Sequence, residues 1–341
     1  MKRFIVILIP LLLGACTLID DDLSVCDEQL LINYQVQLHT ELSMQLEAEL
    51  VSETETPVRK ALEKWLSPIF TDKAKDIDLR FFSGDEDEIR YQIQEVINDN
   101  RTSYTIVLPK EDYMHLAVAN IADDRQVHLL EGAHSRTMML RLSEEEVLAP
   151  LTTGVFTARL PMQVDETSQR FDVRMYMVTS AVALIVDTTS CPELVGLEGY
   201  MMGSACGFSL RDSAFAYDNK CRMTMEEVEI ESQVQKAKSQ SPITNYQSPI
   251  NGNPYSCYGT VCFPTRDEGE WTIAMRATLT DNRHTTTTLT IDNPLKAGTL
   301  RIIRCTVDEK GKLQPDEEHD VDVGASVELD WDDGTEEEIE L

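Results

Sequence analysis

The stretch Leu31-Ile32-Asn33-Tyr34-Gln35-Val36-Gln37-Leu38-His39 decides the fold class. Its apolar residues, Ile32, Tyr34, Val36 and Leu38, alternate with Asn33, Gln35, Gln37 and His39. Successive side chains of a strand point to opposite faces, so a period of two marks a strand with one face in a core and the other in water. The alternation continues through Leu42, Met44, Leu46, Ala48 and Leu50. Fully extended at ~3.3 Å per residue, the whole stretch would reach about 60 Å. That is too long for one strand of a sandwich, so it must bend or break. Leu42, Leu46 and Leu50 also stand four apart, as on one face of a helix, so strand and helix both stay open for this second piece.

Further along, Pro57 to Phe70 reads as a helix: Thr54 or Thr56 can cap it, Pro57 suits its first turn, and Leu62, Trp65, Leu66 and Ile69 share a face. Pro68 should close it. A second short helix is expected between Ile89 and Ile97. Elsewhere the period is two or the run is short and apolar. Ile77 to Phe81, Tyr104 to Leu108, Tyr113 to Ala119, Thr137 to Leu142, Val155 to Leu160 and Phe171 to Met177 read as strands. Val182 to Val186 has no polar side, as expected of a strand covered on both faces. Phe208 to Leu210, Met223 to Ile230, Trp271 to Leu279, Thr285 to Ile291, Thr299 to Val307 and Val327 to Trp331 follow. Lys310-Gly311 and Asp333-Gly334 are hairpin signals, and Lys236 to Pro254 reads as an exposed loop. Mostly β with regularly spaced turns favours β-sandwiches. With a boundary at the polar stretch Asp165 to Gln169, the expected organisation is a leader over 1–15, an acidic tether over 16–25, and sandwiches over 26–164 and 165–341.

The leader rests on chemistry at the N-terminus. Met1-Lys2-Arg3 is positive, and Phe4 to Leu13 carries no charge. That run is too short to span a membrane, which takes about 20 apolar residues, and it has the length of a secretory signal core. Leu13-Gly14-Ala15-Cys16 then resembles the lipobox of lipoprotein signal peptidase. Ordinary signal cleavage wants small residues flanking a spacer, and Leu13 stands where the first should be. Leu13, Gly14 and Ala15 are therefore expected to be read by the peptidase, and Cys16 to carry the lipid. Two or more acyl chains give stable anchoring where one is marginal. Asp20-Asp21-Asp22 is either a solvated tether or an address for surface export.

The chain has 341 residues, of which 326 run from Cys16 onward, enough for two domains. Its net charge of −30 repels nucleic acid and anionic headgroups, so neither is expected as a partner. Seven cysteines besides Cys16 cannot all pair within one chain. Cys257 and Cys262 could bridge a short loop, and Cys191, Cys206, Cys221 and Cys305 could include another bridge; buried free thiols are the other reading. No C-x-x-C pair supports zinc or thiol redox chemistry, and none of the six histidines has a zinc spacing.

Several parts in order resemble the fimbrial anchor family of Bacteroidota, the FimB-type minor fimbrial subunits. Cys26 follows the lipobox by ten residues and leads into the first strand. Leu108-Pro109-Lys110-Glu111-Asp112-Tyr113 is similar to the family's Leu-Pro-x-Gly-x-Tyr turn, though without its glycine. Ala117-Val118-Ala119-Asn120, Gly154-Val155-Phe156 and a closing strand with Trp331 resemble further family segments. The resemblance covers roughly residues 16 to 341. It implies two tandem transthyretin-like β-sandwiches, outer-membrane anchoring through Cys16 facing the cell surface, and fimbrial shaft or accessory subunits as partners, joined by β-strand exchange. The alternative is a surface lipoprotein that binds glycans or host proteins as an adhesin.

Catalysis finds little support. Gly203-Ser204-Ala205-Cys206-Gly207 is not G-x-S-x-G and reads as a glycine-rich bend with a buried cysteine. Asp330, Asp332 and Asp333 precede Gly334, but the glycine comes one place early for a calcium loop. The acidic clusters Asp85 to Glu88 and Glu336 to Glu338 read as solvated faces or edge protection. The expectation is a non-enzyme with no catalytic residue, metal, cofactor or small-molecule substrate.

Overall fold

In the computed structural model the described residues are 28–37, 42–97, 102–165, 168–217, 221–231, 254–316 and 323–330. The chain enters on β1 (Glu28–Gln37), then forms α1 (Leu42–Glu49) and α2 (Thr56–Leu66). Next come β2 (Asp76–Ser83), β3 (Ile89–Val96), β4 (Ser103–Leu108), β5 (Asp112–Ala119), β6 (Val127–Leu130), β7 (Met139–Leu142) and β8 (Val147–Leu148). After β9 (Phe156–Gln163) and β10 (Ser168–Met177) follow β11 (Ser180–Asp187), β12 (Leu194–Met202), β13 (Gly207–Ser209), β14 (Ala214–Ala216) and β15 (Arg222–Glu227). The last are β16 (Tyr255–Cys262), β17 (Trp271–Leu279), β18 (His284–Ile291), β19 (Leu300–Val307), β20 (Leu313–Pro315) and β21 (Val323–Asp330). The protein is mainly β, with two near-closed sheets.

The first sheet runs β3-β2-β5-β9-β10-β1-β4. All neighbours are antiparallel except β1 and β10, which pair in parallel from Gln29–Ser168 to Gln37–Tyr176. Strand β10 follows Asp165 in the chain, so this sheet draws on both sides of the polar stretch. β9 and β10 share only the pairs Thr157–Tyr176 and Phe156–Met177. The sheet folds over at that thin seam. Tyr34 on β1 then meets His115 on β5 across the interior, with Oη and Nε2 2.9 Å apart.

The second sheet follows the path β20-β19-β11-β16-β15-β12-β17-β18-β21, with β8 added beside β15. It folds at β15 and β16, which share only Glu226–Gly259 and Glu227–Tyr258. Its far ends approach each other: the Leu313 amide on β20 donates to Thr287 Oγ1 on β18 at 3.1 Å. At its heart β11 pairs in parallel with β19 and antiparallel with β16, and every residue from Ser180 to Val186 is buried. That matches the unbroken apolar run in the sequence.

A small third sheet, β14-β13-β7-β6, combines hairpins from distant parts of the chain. Ion pairs tie it to the first sheet. Arg80 on β2, 1% exposed, donates to both carboxylate oxygens of Asp78 at 2.8 and 2.9 Å, and to Glu131 beyond β6 at 2.7 Å. Asp87, in the β2–β3 turn with φ 57°, accepts from the Ser135 amide at 3.1 Å and from Arg211 beyond β13 at 2.9 Å.

The helices form the other link. Leu42 to Glu49 resolves as a helix, with Leu46 and Leu50 fully buried and Met44 exposed. In α2, Pro57 occupies the first turn, but Glu55 stands at the cap without a side-chain cap bond, in place of the expected threonine. Gln45 donates to the Leu300 carbonyl at 2.8 Å, and Arg304 on β19 pairs with Glu55. Burial alone would raise the Glu55 carboxyl, but hydrogen bonds from Arg304 and Ser52 outweigh it and hold it below its ordinary value. Trp65 lies against Gly259 of β16 so closely that any Cβ there would collide with the indole.

Two expectations are corrected. Ile89 to Val96 is a strand: Ile89, Tyr91 and Ile93 are half-buried while Arg90, Gln92 and Gln94 are exposed, a period of two. Pairing along the buried β2 supplies the contacts that decide it. Cys257 and Cys262 do not bridge. They share β16, five residues and so about 16 Å apart, far beyond the span of a disulfide. Cys191, Cys206, Cys221, Cys257, Cys262 and Cys305 are all buried thiols outside any disulfide.

Candidate functional site at the open end of the first sandwich

Where the two halves of the first sheet part, they leave a cavity of about 450 Å³. Its depth is set by β-strand alternation. Tyr34 on β1, Tyr104 on β4, Ile77 on β2 and Met175 on β10 all point inward and are buried. The two tyrosine rings meet edge to face, centroids 5.8 Å apart at 80°, a favoured geometry for aromatic quadrupoles.

Behind Tyr34 lies a polar contact with no access to water. His115 is 0% exposed and stacks on Phe81 at 4.2 Å and 10°. Its Nδ1 is 3.0 Å from the Arg80 carbonyl, which can only accept, so Nδ1 carries the proton. Nε2 is then the acceptor for the Tyr34 hydroxyl. Burial drives the imidazole down to about 4, so it is neutral at physiological pH, and burial likewise pushes the Tyr34 phenol well above its ordinary value. The pair orients Tyr34.

The mouth is polar. Gln35, Asp72, Lys73 and Thr102 line it and are exposed. The Asp72–Lys73 loop is pinned by Asn120, which sits at the end of β5 with φ 65°, a left-handed backbone that asparagine tolerates well. Asn120 Oδ1 accepts from the Lys75 amide at 2.6 Å. Its Nδ2 donates to Gly154 O at 3.0 Å and Lys73 O at 3.4 Å. Thr153 Oγ1 donates to the Asn120 carbonyl at 2.8 Å. Asn120 and Gly154, from two separate segments of the family resemblance, thus meet at one joint beside the cavity. A Cβ on Gly154 would strike the Ile69 carbonyl, so glycine is required there. In the Pro109 to Tyr113 turn the Tyr113 hydroxyl donates to the Pro109 carbonyl at 3.0 Å, a local closure.

Leu13, Gly14, Ala15 and Cys16 lie outside the described residues, as do Asp20 to Asp22, Cys26, most of the loop from Lys236, Trp331, and Asp332 to Gly334. In the Gly203 to Gly207 bend, Gly203 takes φ 102°, and Ser204 and Cys206 are 3% and 2% exposed, so neither nucleophile faces solvent. Among the described residues no group of three or more His, Cys, Asp or Glu could hold a metal ion, and no helix is long and apolar enough to cross a membrane.

No protein-family model matches the chain, and no curated protein matches it in sequence. Solved structures do match its fold. A candidate adhesin from Bacteroides ovatus superposes with a TM-score of 0.53 at 10% identity, covering 93% of this chain and 99% of that one. A candidate adhesin from Bacteroides thetaiotaomicron gives 0.53 at 9%, covering 84% and 94%. A candidate polysaccharide-binding protein from the same organism gives 0.52 at 9%, covering 86% and 100%. At such identity the likeness is one of fold.

Proposed function

We propose that this chain is a non-enzymatic adhesin-type lipoprotein of the outer surface of a Bacteroidota-like cell, tethered through Cys16, with its two sandwiches presented outward. The observation that carries the reading is the fold, shared along nearly the whole chain with candidate adhesins and a candidate polysaccharide-binding protein. The lipobox Leu13-Gly14-Ala15-Cys16 supplies the tether, and the net charge of −30 leaves the lipid, rather than basic residues, to hold the membrane. The test is adherence. Cells lacking the gene should bind less to glycan-coated or host-derived surfaces, and an intact copy should restore binding. Unchanged adherence would remove the adhesive role.

A second reading is a fimbrial anchor, built of transthyretin-like sandwiches and joined to shaft or accessory subunits by strand exchange. What favours it is the edge of the second sheet. Among the described residues β21 pairs only with β18, from His284–Asp330 to Ile291–Val323, and an edge strand can be replaced by a partner's strand with the ladder conserved. An anchor should co-purify with fibre subunits in detergent extracts, and its deletion should shed fibres into the medium. Fibres that stay attached would exclude it.

A further inference from the structure

We propose that the cavity between Tyr34 and Tyr104 is a binding site for a neutral saccharide end. This names a ligand for the adhesive reading above and rests on it.

The argument begins with the shape of the ligand class. A sugar ring has an apolar C–H face and a girdle of hydroxyls that both donate and accept. A matching site needs an aromatic or aliphatic floor and a polar rim of both kinds. The floor here is Tyr34, Tyr104, Ile77 and Met175, all buried, and the volume of about 450 Å³ falls in the range of ligand sites. The rim supplies an amide from Gln35, a hydroxyl from Thr102, a carboxylate from Asp72 and an ammonium from Lys73. Its two charges cancel. An anion would have to approach a chain of net charge −30 for no net cation at the mouth, so a neutral ligand fits best.

The site is also preorganised. The Tyr34 hydroxyl is occupied by His115, which fixes the ring as wall. The rim loop is clamped from below by Asn120 at Lys73 and Lys75. The Ile97 amide adds a bond to the Lys75 carbonyl at 2.7 Å. A rim already ordered loses little entropy when a ligand arrives.

The experiment uses the soluble chain from Ser24 onward with mannotriose, cellotriose and triacetylchitotriose as neutral probes and sialyllactose as the anionic one. Saturation-transfer NMR detects binding and calorimetry gives affinity. At least one neutral trisaccharide should bind, more tightly than sialyllactose, and Asp72→Ala or Lys73→Ala should weaken it about tenfold or more, as loss of a charged hydrogen-bonding group does. Thr286→Ala, on the outer face of the second sheet, should leave it unchanged. Near-UV dichroism confirms that these surface variants are folded. No transfer from any neutral probe, tighter binding of sialyllactose, or binding indifferent to both rim variants would overturn the proposal. Adherence that survives in Asp72→Ala cells would refute the cavity while leaving the adhesive role intact; adherence unaffected by deleting the gene would refute that role itself.

Discussion

The two large sheets fold over on themselves in the same manner and fill their interiors differently. The first buries ionisable groups: His115 against Tyr34 inside, and Asp78 and Arg80 beneath the small sheet. The second buries Leu184, Ile303, Met201 and Met275, with Cys257 and Cys262 and the threonines Thr260, Thr285 and Thr287. Two of its buried hydroxyls are satisfied by backbone, Thr285 Oγ1 by the Lys310 carbonyl at 2.8 Å and Thr287 Oγ1 by the Leu313 amide. Burial pushes both thiols far above their ordinary values, so they stay protonated and act as small apolar groups. The difference teaches where each half is vulnerable. The first depends on partners and pH, the second on packing.

The largest expected break is Arg80→Met. It strands the Asp78 carboxylate, 5% exposed, with Gln94 as its remaining side-chain donor among the described residues, and should cost about 3–5 kcal/mol in urea unfolding. Changing Asp78→Leu together with Arg80→Met should recover most of that loss, because the uncompensated charge goes too. A single-variant cost under about 1 kcal/mol would mean the pair is not as buried as described.

Next in size is the pH response. The His115 imidazole is depressed to about 4 in the fold against 6.5 free, so the unfolded chain takes up the proton first as pH falls. The stabilisation is complete above 6.5 and is lost progressively down to about 4, a loss of about 3 kcal/mol. Carboxylates titrate in the lower part of that window, so the comparison is with His115→Leu, whose stability should be flatter between pH 6.5 and 5. Parallel curves would deny the buried imidazole.

In the second interior, Cys257→Ser replaces a thiol by a hydroxyl with no partner and should cost about 1–3 kcal/mol, read as a lower melting temperature. All six described thiols should resist Ellman's reagent in the folded protein and react once it unfolds. Rapid labelling of the native protein would contradict their burial. Smallest of all, Val107→Lys on the exposed face of edge strand β4 should shift stability by no more than about 0.5 kcal/mol.

Much of this architecture is legible in the sequence where one residue's environment repeats at a fixed period. The alternation in β1, the unbroken run in β11 and the spacing in Trp271 to Leu279 each mark their strand. Legibility fails where the deciding contact is remote. Ile89 to Val96 becomes a strand because β2 lies beside it. Leu194 to Met202 hides as a strand because Gly196 and Gly199 interrupt its pattern, yet at Gly199 a Cβ would strike Met275 and the Ala274 carbonyl. Tyr255 to Cys262 follows a long polar loop and carries two cysteines at a spacing that also suits a bridged loop. The cavity was the least visible part. Tyr34 and His115 are 81 positions apart and Asn120 and Lys75 are 45 apart, and no local pattern announces such pairs.

The central claim is tested most directly by replacing Cys16 with serine and following the protein in cells fed labelled palmitate. The intact chain should incorporate label, sediment with outer membranes and be shaved from whole cells by protease, while Cys16→Ser should lose the label and the membrane together. A serine variant that stays membrane-bound and surface-exposed, or an intact chain that takes up no fatty acid, would contradict the account.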